Sequence, residues 1–394
     1  MRHSVWAYPW DILDAGPEAA LSAMTEAGAN CVSLATSYHA GRFLQPGNPR
    51  RRVYFPEDGT VYYAPDPARW SDAEIVPKPA AIVAEEGDML RRLVEAREAG
   101  GPQVSCWTVC LHNLRLGQAH PAHVLRTAFG DPSLYGLCPS SEAARDYVAG
   151  LVAEISHLYR PDRIELESPD FMGFDHGFHH EKDGLGLLPE DRFLLGLCFC
   201  EHCLARAGAA DIDGQAARRA VADHLSAAFE RELPEAQFPD FAERGAAAFD
   251  RVPEIAAWID WRTEPVTSLI ARLRDAAHPD TELLLIDAEA SWWGGVDRAA
   301  AAGACDGLLY CAYFTPAERV GAEIAAARAA IGADATLVAG FQLFHPEVAD
   351  AEDLVARATA AAGAADGFNF YNFGLVPRAR LGWMARALGA VEAA

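Results

Sequence analysis

The sequence predicts an α/β protein, a single (β/α)8 TIM barrel with one long insertion between its fourth and fifth strands. Three observations carry this expectation. Short β-like runs alternate with helical patterns eight times along the 394 residues. The helical patterns open at Pro, Ser, Thr or Asp and often close at Gly. The turn after the first strand, Tyr8-Pro9-Trp10-Asp11, lacks the glycines that a doubly wound nucleotide-binding sheet would need there.

The first strand is His3 to Tyr8. Gly16-Pro17 opens a helix with Leu21 and Met24 on one face, stopped at Gly28, and Asn30 to Thr36 forms the second strand. An inserted hairpin is expected within residues 45–75, its arms running from Arg52 to Tyr63 around Asp58-Gly59. A helix follows with Ile82, Val83, Met89, Leu90, Leu93 and Val94 at helical spacing, closed by Gly100-Gly101. Gln103 to Val109 is strand three. After Ser141, a helix carries Tyr147, Val148, Leu151, Val152 and Ile155 on one stripe.

Strand four is Arg163 to Glu167, and residues 182–280 form the long helical insertion before strand five, Thr281 to Asp287. Gly307 to Ala312, Thr336 to Phe341 and Gly367 to Tyr371 complete the eight. Helices beginning near Thr315 and Asp350, and after Pro377, complete the alternation, so residues 1–394 read as one domain.

Composition narrows the function classes. The chain is 51% hydrophobic, enough for a large core, and its formal charge of −23 repels nucleic acid and anionic membrane surfaces. The first residues show no apolar signal core and no span is of membrane length, so the expected location is cytoplasmic. Nine cysteines then read as reduced thiols or metal ligands rather than a disulfide framework. The expected partner is a small carbohydrate, with homo-oligomerisation left open and no organic cofactor implied.

In barrels of this kind the chemistry sits at the C-terminal ends of the strands. Those ends offer the rings Trp6, Tyr8, Tyr38, Trp107, Trp292, Tyr313 and Tyr371, with Trp10 and Trp293 beside them. They also offer His39, His112, His345, Gln342 and Asn372, and the acids Glu165, Asp170 and Asp175. Rings among amides, imidazoles and carboxylates suit a sugar, whose C–H faces stack on aromatics and whose hydroxyls need many hydrogen-bond partners. The plainer alternative for any one ring is that it fills a barrel layer.

Glu167 closes strand four and is the leading catalytic carboxylate. Alternation puts it with Glu165 on the face opposite Ile164 and Leu166, where an acid needs a partner or a task. Glycoside hydrolysis requires two carboxyls, and Asp287 and Glu289 at the end of strand five supply the expected partner. His176, His179 and His180 read as a loop lining the sugar pocket, with a metal-dependent hydrolase or isomerase built on them as the rival reading. A carbohydrate-binding barrel without catalysis is a further rival. Cys198-x-Cys200-x-x-Cys203 suits one structural zinc, with Cys138 as fourth ligand and His202 in reserve, against the alternative of buried free thiols.

An upstream cysteine after strand three followed by C-x-C-x-x-C beyond strand four resembles the zinc cluster of the family-42 β-galactosidases. The layout around Leu137-Cys138-Pro139-Ser140 and Cys198 to Cys203 is similar to TIM-barrel glycoside hydrolases related to these and to the α-L-fucosidase-like barrels. This resemblance, carried by motif over roughly residues 100–205, implies a retaining sugar hydrolase with its acid/base at Glu167. The chain differs in having Leu166-Glu167 where the β-galactosidases carry Asn-Glu, and Gln342 where strand seven would end in a carboxylate.

Overall fold

A computed structural model describes residues 1–175 and 180–393. Eight parallel strands close on one another: β1 (Arg2–Ala7), β2 (Cys31–Tyr38), β3 (Gln103–Val109), β4 (Arg163–Glu167), β5 (Glu282–Asp287), β6 (Gly307–Cys311), β7 (Thr336–Gln342) and β8 (Gly367–Tyr371). Closure is made by β1, which pairs β2 from Ser4 opposite Cys31 and β8 from Arg2 opposite Gly367. The expected (β/α)8 barrel is thus borne out. No helix among the described residues is long and apolar enough to cross a membrane.

Two apolar layers result from the pleat. Val5, Val32, Leu34, Val104, Ile164, Leu166, Leu283, Leu285, Leu308 and Phe368 point outward and pack with the helices. Among those helices is Glu142–Tyr159, whose Val148, Leu151, Val152 and Ile155 are fully buried. Each such side chain contributes about 1.5–3 kcal/mol by burial. Trp6, Tyr8, Ala35, Trp107, Val109, Leu284, Leu309 and Val338 point inward and form a second cluster in the lumen. A bulge in β2 between Ala35 and Ser37 shifts the register against β3. Beyond it, Tyr38 belongs to the lumenal cluster.

Between β2 and β3 the pairing differs from the expected hairpin. Phe43–Leu44 pairs with Val53–Tyr54, while Thr60–Val61 leaves that ribbon and adds antiparallel to Ser37 and Tyr38 of β2. Asp58-Gly59 is therefore no hairpin turn. Asp58 accepts from the Ala40 amide, and the Gly59 carbonyl accepts from Asn113 and Arg115. Gly59 has φ +59°, and a Cβ there would lie 2.0 Å from the Asn113 side chain. That close approach to the loop after β3 carries the chain back to the barrel.

The segment between β4 and β5 carries helices Pro189–Leu195, Glu201–Ala209, Gly214–Phe229, Phe241–Arg244, Pro253–Trp261 and Thr263–Ala276. It has an aromatic core of its own, with Trp258 stacked on Phe199 at 4.9 Å and Phe193 against Phe249 at 5.5 Å.

Candidate active site at the barrel mouth

The inward alternation of β4 brings Glu165 and Glu167 into the lumen, one above the other. Two indoles meet them. Trp6 of β1 and Trp107 of β3 stack at 4.6 Å, and each donates its ring N–H to one glutamate. Trp6 Nε1 is 2.5 Å from Glu165 Oε2, which also accepts from Ser33 Oγ at 2.6 Å, and Trp107 Nε1 donates to Glu167 Oε2. The two acids differ in access. Glu165 is wholly buried, while Glu167 keeps part of its surface open. Burial pushes both carboxyls above their ordinary range. Around Glu167 the rise is opposed by His39 and by the Trp107 N–H, both of which favour the ionised form.

Around Glu167 the rings form a box. Tyr371 stands edge-on to Trp6 and Trp107 at 5.6 and 5.9 Å and stacks on Tyr313 at 5.6 Å. Tyr38 meets Trp107 edge-on at 4.9 Å, and the Tyr8 and Tyr371 hydroxyls lie 3.3 Å apart. His39 stacks on Tyr38 and lies 4.1 Å, ring to ring, from His112. Gln342 donates to the Tyr313 carbonyl at 2.9 Å, and Asn372 accepts from the Gly374 amide at 2.9 Å with its own amide nitrogen buried and unpartnered.

The second carboxyl near Glu167 is Asp170, three residues on. Its carboxyl rests on the backbone of Gly294, where a Cβ would lie 2.1 Å from Oδ2 and displace it. Burial pushes Asp170 up to about 7, with the neighbouring charges of Asp287 and Glu167 adding to the rise and Arg262 opposing it.

The expected strand-five partners lie elsewhere. In β5, Leu284 packs in the lumenal cluster while Leu283 and Leu285 pack outward, so alternation turns Asp287 toward the helix layer. There it pairs with Arg298 at 2.5 Å and has no exposed side-chain surface. Glu289 is exposed and pairs with Arg319 at 3.1 Å. Trp292 and Trp293 pack against Phe193 and Phe241 of the insertion, not in the ring box. His345 is exposed at the rim. His176 and His179 lie outside the described residues, and His180 is exposed.

Cys138, Cys198, Cys200 and Cys203 converge away from the lumen, all buried, with their sulfurs within 4.8 Å of one another. The separations from Cys138 are 3.4 Å to Cys203, 3.5 Å to Cys200 and 4.0 Å to Cys198. These bracket the edge of about 3.8 Å of a tetrahedron with metal–sulfur bonds of about 2.3 Å. Backbone amides of Arg126, Ser140 and Cys203 point at three of the sulfurs at 3.4–3.5 Å, as electron-rich thiolates require. Burial pushes Cys138 and Cys203 up, whereas hydrogen bonds from the neighbouring thiols hold Cys200 far below its ordinary value. This group could hold a metal. His202, the reserve ligand, instead faces the Ala122 carbonyl and stacks on His123.

No family model matches the chain, and no curated protein matches it. Among solved structures it is similar to a β-galactosidase from the psychrophilic Marinomonas ef1, with a TM-score of 0.58 at 14% identity over 100% of this chain and 59% of that one. It is also similar to α-L-fucosidase isoenzyme 2 from Paenibacillus thiaminolyticus, with a TM-score of 0.53 at 14% identity over 100% of this chain and 50% of that one. The chain thus spans little more than half the length of these neighbours. At such identity the likeness shows the fold, and at that level the resemblance to glycoside hydrolase barrels is borne out.

Proposed function

We propose that the chain is a glycoside hydrolase acting on a small saccharide or glycoside, with Glu167 as general acid. The observation that carries this reading is a partly accessible carboxyl of raised proton affinity, held by an indole N–H at the C-terminal end of β4 inside a box of aromatic rings. A sugar's C–H face packs against Tyr371 and Tyr313 while Glu167 passes its proton to the leaving oxygen. Asp170 is the second carboxyl. In its ionised form it activates water or meets the anomeric carbon.

We further propose that the four cysteines hold one zinc ion. Four protein thiolates close the coordination sphere, so the ion would tie the loop after β3 to the insertion and take no part in the chemistry.

Glu167→Gln tests the assignment against a panel of 4-nitrophenyl glycosides. Turnover on the best substrate falls by about 10²–10⁴, and unchanged turnover refutes it. One observation favours the non-catalytic rival. The inward residue near the end of β5 is Ile286, and β7 ends in Gln342, so neither strand supplies a carboxylate at the C-terminal end of the lumen. Saturable sugar binding with no hydrolysis of any glycoside would select that rival.

A further inference from the structure

Against the ring box lies a cavity of about 400 Å³, walled by the loops that follow β2, β7 and β8. Its aromatic sides pack against the box. Phe43 packs on Tyr8 at 5.1 Å, and Phe344 packs on Tyr371 at 5.2 Å. Through Tyr371 and Trp107 the cavity is two ring contacts from Glu167.

Its polar lining is cationic in a chain whose net charge is −23. Arg42, His345 and Arg380 face the cavity, with Glu347 as the opposing acid. Among the described residues just over half of the guanidiniums are matched to carboxylates. These two are not. Among the described residues, neither Arg42 nor Arg380 forms an ion pair, with Glu347 or with any other acid. Arg380 is held from behind by the Leu343 carbonyl at 3.2 Å and by the Trp383 ring, which fixes its planar head. An oriented guanidinium beside a second, free one suits bidentate capture of a planar or tetrahedral oxyanion.

We propose that this rim cavity is a subsite for an anionic substituent of the sugar, a carboxylate or a sulfate ester, so that the substrate is an acidic saccharide. The proposal rests on the reading of the ring box as a sugar site. The neutral ring lies on the aromatics and the anion on Arg42 and Arg380.

The test is equilibrium binding to the full chain, followed by calorimetry, which needs no turnover. D-glucuronate, D-galacturonate and D-galactose 6-sulfate are compared with D-glucose and D-galactose at fixed low ionic strength. An acidic sugar binds about tenfold more tightly than its neutral counterpart, as expected for charge-assisted contacts at a partly exposed site. The advantage shrinks as salt is raised. Preference for the uronates assigns a carboxylate, and preference for the 6-sulfate alone assigns a sulfate ester. Arg42→Gln, at an exposed position whose loss leaves no partner orphaned, collapses the ratio toward one, and Arg380→Gln does the same. Equal binding of acidic and neutral sugars overturns the proposal, as does a preference that survives both substitutions. The two readings fail separately. Arginine-dependent binding of acidic sugars with no hydrolysis of any glycoside removes the hydrolase, and Glu167-dependent cleavage with no acidic preference removes the subsite.

Discussion

Replacing Trp107 by Phe isolates the contact that most directly tunes the candidate acid. The indole N–H donates to Glu167 and favours the ionised carboxylate. Phenylalanine keeps a ring against Trp6 and Tyr371 but removes the donor. A hydrogen bond to a charged group is worth about 1.5 kcal/mol at the lower end of its range. Its loss shifts the ionisation equilibrium about tenfold toward the protonated form, or about one pH unit. The sign follows from the role. A general acid works while protonated, so activity falls as pH rises through its pKa, and raising that pKa carries the alkaline limb of kcat/KM upward by about one unit. Trp6→Phe is the control, because it removes the matching donor from Glu165 and leaves Glu167 its own. Both variants lose some packing, about 1–3 kcal/mol in urea unfolding, and neither cost bears on the limb. An alkaline limb that stays fixed or moves down in Trp107→Phe refutes Glu167 as the acid, as does an equal upward shift in Trp6→Phe.

Other consequences are as specific. Asp170 is raised to about 7 in the fold against about 3.9 unfolded, so its contribution to stability is complete below about pH 4 and lost as pH rises through about 7. Asp170→Asn therefore flattens thermal stability between those values, and an unaltered profile argues against the shift. Asp287→Asn leaves Arg298 without its carboxylate and costs about 2 kcal/mol in chemical unfolding. Hydrolysis nevertheless stays within about tenfold of the native rate, whereas a loss of several hundredfold would return Asp287 to the chemistry. Metal analysis of purified protein gives one zinc per chain, lost in Cys200→Ser together with several degrees of melting temperature. Hydrolysis by the intact protein resists chelator, and chelator-sensitive turnover without unfolding would assign the ion a catalytic role.

The barrel was legible because its signal is local and repeated. Strands and helices alternate, and inward and outward residues on most strands differ in kind, as Glu165 and Glu167 do from Ile164 and Leu166. In Leu283-Leu284-Leu285-Ile286 that contrast is missing. Both faces of the strand are buried, so the run does not say on which side Asp287 emerges, and the lumen and the helix layer look alike from the sequence. The same limit applies to the tryptophans after β5. Their position suggests a strand end facing substrate, but the insertion folds its own aromatic core over them.

What the sequence determined by itself was periodicity and spacing. Eight strands, the lumenal face of β4, and C-x-C-x-x-C with a cysteine upstream are set by which residues are neighbours along the chain. What only the tertiary structure decided was which distant residues meet. His39 came to Glu167 and Asp170 came to rest on Gly294. Arg42 came to share a cavity with Arg380. The physical reason is that side-chain alternation and helical repeat are properties of a short backbone segment, while charge pairing, ring stacking and desolvation depend on barrel closure and on how loops of different length cross its mouth.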